Sequence, residues 1–306
     1  FDFSTRLPFS IEPHIIFNRW DYFRSFATFF EDVQPSFIVI DERYAGIKLR
    51  FPVRSSARID IESAYTRIAD DYYQQENFLA TDTADRTVLN GVFSNLTFER
   101  STLNRKQFAS QGTFLKIRLK NLYGNETTIP GSTSAFRDTT ANLRQWLTAK
   151  LVYLNYFDRI GPFKLGFHLE GVASNQPLMQ NYQATVISSA AFEPIPEAKT
   201  YFLEQYRAHN YAAGGIILVA EVTKNFEFRA EGYVYQPLGI LKSDAENKPY
   251  YDWNLKQGYI GSGSAIFFTP VGPLSLSLNY YDLKPEPWSF VLNFGYLLFN
   301  RSVRQD

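Results

Sequence analysis

The chain has 306 residues with 31 basic and 31 acidic side chains, so it offers no net field for nucleic acid. Its lack of cysteine excludes a disulfide framework, a thiolate metal site and a cysteine nucleophile. Mean hydropathy is -0.25 and no run of eighteen apolar residues occurs, which rules out a membrane-spanning helix but not a β-barrel, where only alternate residues meet lipid. Aromatic residues make up 17% of the chain, with 28 Phe and 20 Tyr, an excess that suits ring belts at two membrane interfaces. Nothing resembles a linker between two cores, so residues 1–306 are read as one barrel domain.

In chain order, a first strand is predicted from Leu7 to Arg19, with Trp20, Tyr22 and Phe23 where it leaves the membrane and a connection through Phe29-Phe30-Glu31-Asp32. From Ser36 to Val53 the chain returns, and Ala45, Ile47, Leu49 and Phe51 alternate with Lys48 and Arg50. After a short link, Ile59, Ile61 and Tyr65 oppose Arg58, Asp60 and Glu62, and a long polar connection runs from Asp70 to Thr87. Val88–Arg100 and Gly112–Tyr123 form the next pair around NRKQ. Leu115, Ile117 and Leu119 face away from Lys116, Arg118 and Lys120, a face costly in lipid and cheap in a wet lumen.

The stretch GNETTIPGSTSAFRDTT reads as a second long loop. Residues 142–158 and 163–174 are joined by a tight RIGP turn, with Arg144 and Lys150 opposing Leu147, Leu151 and Tyr153, and Lys164, His168 and Glu170 opposing Phe163, Leu165, Phe167 and Leu169. The longest connection spans 175–213. Strands follow at 214–222, 226–236 and 257–269, and then the hairpin 272–300, where Leu274, Leu276 and Leu278, and Trp288 through Leu298 on alternate positions, present one apolar face.

Short and long connections alternate, as in an outer-membrane barrel with tight periplasmic turns and extended external loops. About twelve strands are counted, an even number that begins and ends on the periplasmic side. The fold class is therefore all-β, a transmembrane antiparallel β-barrel, with a Greek-key soluble barrel as the alternative.

No catalytic motif emerges. Gly261-Ser262-Gly263-Ser264 lacks the third glycine of a nucleophile elbow and sits inside a strand, and His14, His168 and His209 are too dispersed to suggest a metal site. No metal, cofactor or catalytic residue is assigned. Glu227, Arg229 and Glu231 share one strand face and read as a lumenal ion-pair ladder.

EPIPEAKTYFLEQYRAHNYAAGG before residue 216, TPVGPLSLSLNYYDLKPEPWSFVLNFGYLLFN at the end, and NRWDYFRSF, ERSTLNRKQFASQGT and IPGSTS together resemble the C-terminal barrel of patatin-like phospholipases fused to the bacterial surface antigen superfamily of assembly factors and two-partner-secretion transporters. That resemblance implies a sixteen-stranded barrel of which this chain holds about twelve, with a signal peptide, a patatin hydrolase and a POTRA-like domain upstream. It also implies that a long loop folds into the lumen behind a V-R-G-F/Y-type tip. Gln205 to Tyr211 occupy the corresponding place, with Ala208 where the family has Gly, and five strands follow.

The resemblance further implies an acidic partner for Arg207 on the second strand after the loop, where Glu227 and Glu231 stand; Glu231 is favoured because Gly232 leaves room beside it. The function so implied is to anchor, display or translocate an attached lipid hydrolase, with outer-membrane lipid, lipopolysaccharide and the upstream domain as partners. A plugged or gated pore is the alternative, motivated by Lys48, Arg50, Lys116, Arg118, Lys120, Arg144 and Lys150 on the lumen side. A soluble carbohydrate-binding β domain is the third reading.

Overall fold

A computed structural model describes residues 8–22, 36–75, 78–79, 81–157, 161–254, 256–297 and 302–304. Among them, twelve strands form one antiparallel sheet in strict chain order. These are β1 (Ser10–Tyr22), β2 (Ile38–Arg54), β3 (Ala57–Tyr72), β4 (Asp85–Ser101), β5 (Thr113–Ile129), β6 (Thr140–Tyr156) and β7 (Phe163–Ser174). After the long 175–210 segment, which contains α1 (Tyr182–Ser188) and the two-residue strands β8 (Ala190–Ala191) and β9 (Arg207–Ala208), come β10 (Tyr211–Thr223) and β11 (Phe226–Pro237). A small hairpin, β12 (Ile240–Ser243) and β13 (Pro249–Asp252), precedes β14 (Gly258–Thr269), β15 (Gly272–Tyr281) and β16 (Trp288–Phe294).

The period of two decides which side each residue faces. Ile47, Ile61, Ile117, Leu119, Leu151, Leu165, Leu169, Leu218, Leu276, Leu278, Phe290 and Leu292 are exposed, whereas Lys48, Asp60, Arg118, Lys120, Lys164, His168, Ser275, Ser277 and Asn279 between them are buried. Apolar side chains outside and polar ones inside invert a soluble sheet, and a belt this extensive is what lipid covers. The molecule is a transmembrane antiparallel β-barrel. Both ends of the strand order reach the same interior segment: Phe202 stacks edge-on against Tyr22 of β1, and Glu197 accepts a hydrogen bond from Asn293 of β16.

Several strand limits differ from expectation for identifiable reasons. Residues 124–129, read as loop from their polarity, continue β5 in register with residues 86–91 of β4. Their alternate members are buried inside, where Glu126 pairs with Arg144 and accepts from the backbone of Gln180, so their polarity serves the interior. β1 runs on to Tyr22 and β10 begins at Tyr211, three residues before the expected start, because Tyr211 pairs with Val172 and Pro237. β16 stops at Phe294: Gly295 adopts φ +94°, a conformation glycine permits, and turns the chain off the wall before Tyr296. Residues 1–7, 23–35 and 298–301, among them Leu7, Phe23, Phe29 to Asp32 and Leu298, lie outside the described residues.

Candidate functional site: a lumen filled by the chain itself

The 175–210 segment lies inside the barrel. Its helix α1 starts at Asn181, whose side chain accepts from the Ala184 amide at 2.8 Å, an N-cap that satisfies one orphan donor. The same side chain donates to Tyr72 of β3 at 2.6 Å, and the Tyr72 hydroxyl lies 2.8 Å from Thr87 of β4. Beyond the helix, β8 pairs with β9 and the Phe192 amide donates to Tyr206 O, closing a narrow ribbon. Phe192, at 0% exposed, is enclosed by the rings of His168, Tyr211, Tyr233 and Tyr235 from the wall.

Contacts run right round the wall. Tyr206 places its hydroxyl 2.6 Å from Asp282 and 2.9 Å from the Tyr259 carbonyl; a side chain at Gly258 would strike its ring. Glu197 accepts from Asn293 at 3.1 Å, the Ala191 carbonyl accepts from Tyr211 of β10 at 3.1 Å, and Gln180 donates to Glu126 at 3.1 Å. On the side of the long loops the β12–β13 hairpin covers the segment: Tyr251 lies 2.6 Å from His209 Nδ1, and Asn247 bonds both Tyr182 and Gln74. Burial with no facing charge holds the His209 imidazole down at about 4, and burial raises the Glu193 carboxyl despite the nearby Arg207.

Two further segments enter the lumen, neither of them expected from the sequence. The β4–β5 connection, 102–112, does not turn tightly; Phe108 takes φ +54° and is buried, and the connection crosses to the far wall. Arg105 donates to Glu227 at 2.9 Å and sits 3.7 Å over the Phe268 ring, while Arg229 donates to the Ala109 carbonyl at 2.7 Å and to Tyr156 at 2.8 Å. Past β16, Arg304 meets Asp70 of β3 with both carboxylate oxygens, at 2.9 and 2.6 Å, and Val303 donates to Glu42 at 2.9 Å. Two carboxylates on inward faces, Asp70 and Glu42, with no cation in register beside them, were the available signal.

These placements correct the expected lock. Arg207 is inside, 4% exposed, but its carboxylate is Glu193, 3.7 Å away on the same segment, and the guanidinium also donates to the carbonyls of Ile187 and Ser189 and lies over Phe202. Glu231 instead pairs with Arg229 and accepts from Tyr233 at 2.7 Å, and Glu227 takes Arg105. The ribbon explains the difference: β8 and β9 fold Glu193 back beside Arg207, so a local partner is met before the wall is reached.

The seven basic residues assigned to the lumen all stand on the inner face, but in company. Lys48 pairs with Glu62 at 3.4 Å, Arg50 with Glu12 and Asp60, Arg144 with Glu126, and Lys150 with Glu170 at 2.8 Å; Lys120 donates to the Val303 carbonyl. Lys116 and Arg118 line a cavity of about 790 Å³ between β5–β7 and the inner segment. The cationic surplus inferred from the strands alone is largely offset by inward carboxylates, as buried charge requires.

No family model matches the chain, and no curated protein matches it. The fold is similar to that of BamA from Haemophilus ducreyi lacking POTRA domains 1–3, with TM-score 0.57, 13% identity and 95% of this chain covered. The chain spans 58% of that BamA chain. Weaker likenesses are to the β domain of the Bordetella autotransporter BrkA, with TM-score 0.35, 11% identity, and coverage of 90% of this chain and 93% of that one, and to the ferric citrate transporter FecA, with TM-score 0.37, 11% identity, and coverage of 89% and 40%.

Proposed function

We propose that this chain is the membrane module of a larger protein, a barrel closed by its own 175–210 segment that anchors or translocates an attached patatin-like lipid hydrolase. The filled lumen carries the reading. Among the described residues the segment is packed against β3, β5, β7, β10, β11 and β14–β16 and fills the lumen, so the barrel serves as a support or a gated passage rather than a passive pore. The barrel lies in the bacterial outer membrane, and its apolar belt is in contact with lipid and lipopolysaccharide. The identity of the attached domain rests on the resemblance of residues 193–215 and 269–300 to patatin-linked barrels.

A gated transporter is the second reading, favoured by the large cavity beside the inner segment and by the hairpin that covers it. The test of the first is made on the complete gene product in cells: hydrolysis of a fluorogenic phospholipid should sediment with the outer membrane. It should become soluble when the barrel is deleted. A complete protein with no lipid hydrolysis in either fraction refutes the hydrolase assignment and leaves the barrel to the transporter reading.

A further inference from the structure

Charge is sorted differently at the two ends of the barrel. At the end of the long loops, surface cations stand beside carboxylates: Arg19 pairs with Asp21, Arg43 with Asp41, Arg86 with Asp71 and Lys242 with Asp252. The other end carries the connections 55–56, 102–112, 224–225 and 270–271, and there the carboxylates of the described residues are already taken. Glu12 is held by Arg50, Asp60 by Arg50 and Arg58, Glu99 by Arg58, Glu221 by Lys164 and Glu227 by Arg105. Among the described residues the exposed charges at that end are Arg54, Arg100, Lys106 and Lys224, all basic, and none of the four makes a hydrogen bond or an ion pair.

The strand register brings two of them together. Ala57 is the direct partner of Arg54 in the β2–β3 pair and of Arg100 in the β3–β4 pair. Residues directly opposite share one face of a sheet, so both arginines stand on the face of Ala57, which puts only a methyl group between them. Their Cα positions are two strand spacings apart, about 10 Å. On the same face the next row is Phe51, Ile59 and Phe98, and the row beyond is Leu49, Ile61 and Leu96, of which Ile61 and Leu96 are exposed members of the lipid belt. From Arg100 to Leu96 the strand rises about 13 Å, so the arginines mark the edge of the belt, where lipid headgroups lie. A guanidinium there is matched best by a phosphate, which its planar fork meets with two hydrogen bonds. We infer that Arg54 and Arg100 form a site for the phosphate of an anionic phospholipid whose acyl chains lie along Phe51, Ile59 and Phe98. Short connections face the periplasm in outer-membrane barrels, so this lipid belongs to the periplasmic leaflet. The site does not depend on what is attached to the barrel.

The test uses the purified protein in nanodiscs of dioleoyl phosphatidylcholine, with or without a minor fraction of dioleoyl phosphatidylglycerol, and counts retained lipid by native mass spectrometry. Anionic lipid gains about fivefold for each basic residue at the surface, so one phosphatidylglycerol should be retained about twenty-five-fold in preference to phosphatidylcholine. Arg54→Gln and Arg100→Gln should each weaken that retention about fivefold, with folding verified by heat-modifiable migration. Lys224→Gln, which removes an equally unpaired charge at the β10–β11 turn, should leave it unchanged. Phosphatidylglycerol should also protect Arg54 and Arg100 of the unaltered protein from phenylglyoxal, read by mass spectrometry, whereas lipid A or inorganic phosphate added to phosphatidylcholine discs should not. Equal retention of phosphatidylcholine, an equal loss from Lys224→Gln, equal protection by lipid A or inorganic phosphate, or unchanged modification of both arginines would overturn the proposal.

Discussion

Phe192→Ala isolates the packing of the inner segment from the integrity of the wall. The ring is 0% exposed and stacks on Tyr235 at 5.7 Å, with Tyr211 and Tyr233 at 6.1 Å and His168 at 6.2 Å. Truncating a buried Phe to Ala costs about 3–5 kcal/mol through lost transfer energy and the cavity left behind, and aromatic pairs add about 0.5–1.5 kcal/mol each. All four neighbouring rings sit on β7, β10 and β11, whose ladders of backbone hydrogen bonds the substitution does not touch. The loss should therefore fall on docking of the 175–210 segment. At about 1.4 kcal/mol per tenfold, even about 3 kcal/mol raises the undocked population roughly a hundredfold. Hydrogen exchange of the purified barrel should show amides of 184–208 exchanging about two orders of magnitude faster while those of β4 and β5 are unchanged. Equal acceleration in segment and wall would refute the separation of the two, and no acceleration would refute the role of the ring.

Other perturbations have defined outcomes. Arg304→Ala leaves Asp70, 1% exposed, without its bidentate partner, a loss of up to about 3–5 kcal/mol that should free the tail for carboxypeptidase digestion and leave barrel migration intact. Arginine at Leu278 faces lipid and should cost the barrel about 2–4 kcal/mol in unfolding from bilayers if that position lies near the midplane. Arginine at the adjacent Ser277, packed inside next to Glu197, should instead appear as faster exchange of the inner segment. His209 is held neutral by burial down to about 4, below its ordinary 6.5, so its contribution is complete above pH 6.5 and is lost as pH falls toward 4. The loss is at most about 3 kcal/mol; protease access to 175–210 should rise over that window, and His209→Asn should flatten the profile.

Much of the wall was legible because lipid and lumen impose opposite chemistry on alternate residues. Leu276 against Ser277, or Ile117 against Arg118, is sorted by hydropathy alone. Polarity failed as a guide only where both states are polar: residues 124–129 bury Glu126 toward the inner segment yet read as loop. The interior was legible only in outline. That a long segment enters the lumen came from resemblance, but partners inside depend on the path of the chain. Arg207 finds Glu193 through a two-residue ribbon, and Arg105 finds Glu227 across 122 positions, and neither spacing leaves a periodic trace. The tail is the clearest case, since Arg304 meets Asp70 after 234 positions of intervening wall.

The claim on which the rest depends is that the chain closes its own lumen, and planar-bilayer conductance of the purified barrel tests it most directly. The unaltered protein should be close to silent, with Phe192→Ala adding brief openings and removal of residues 176–208 giving steady, large channels. Steady channels of that size from the unaltered protein would contradict the account.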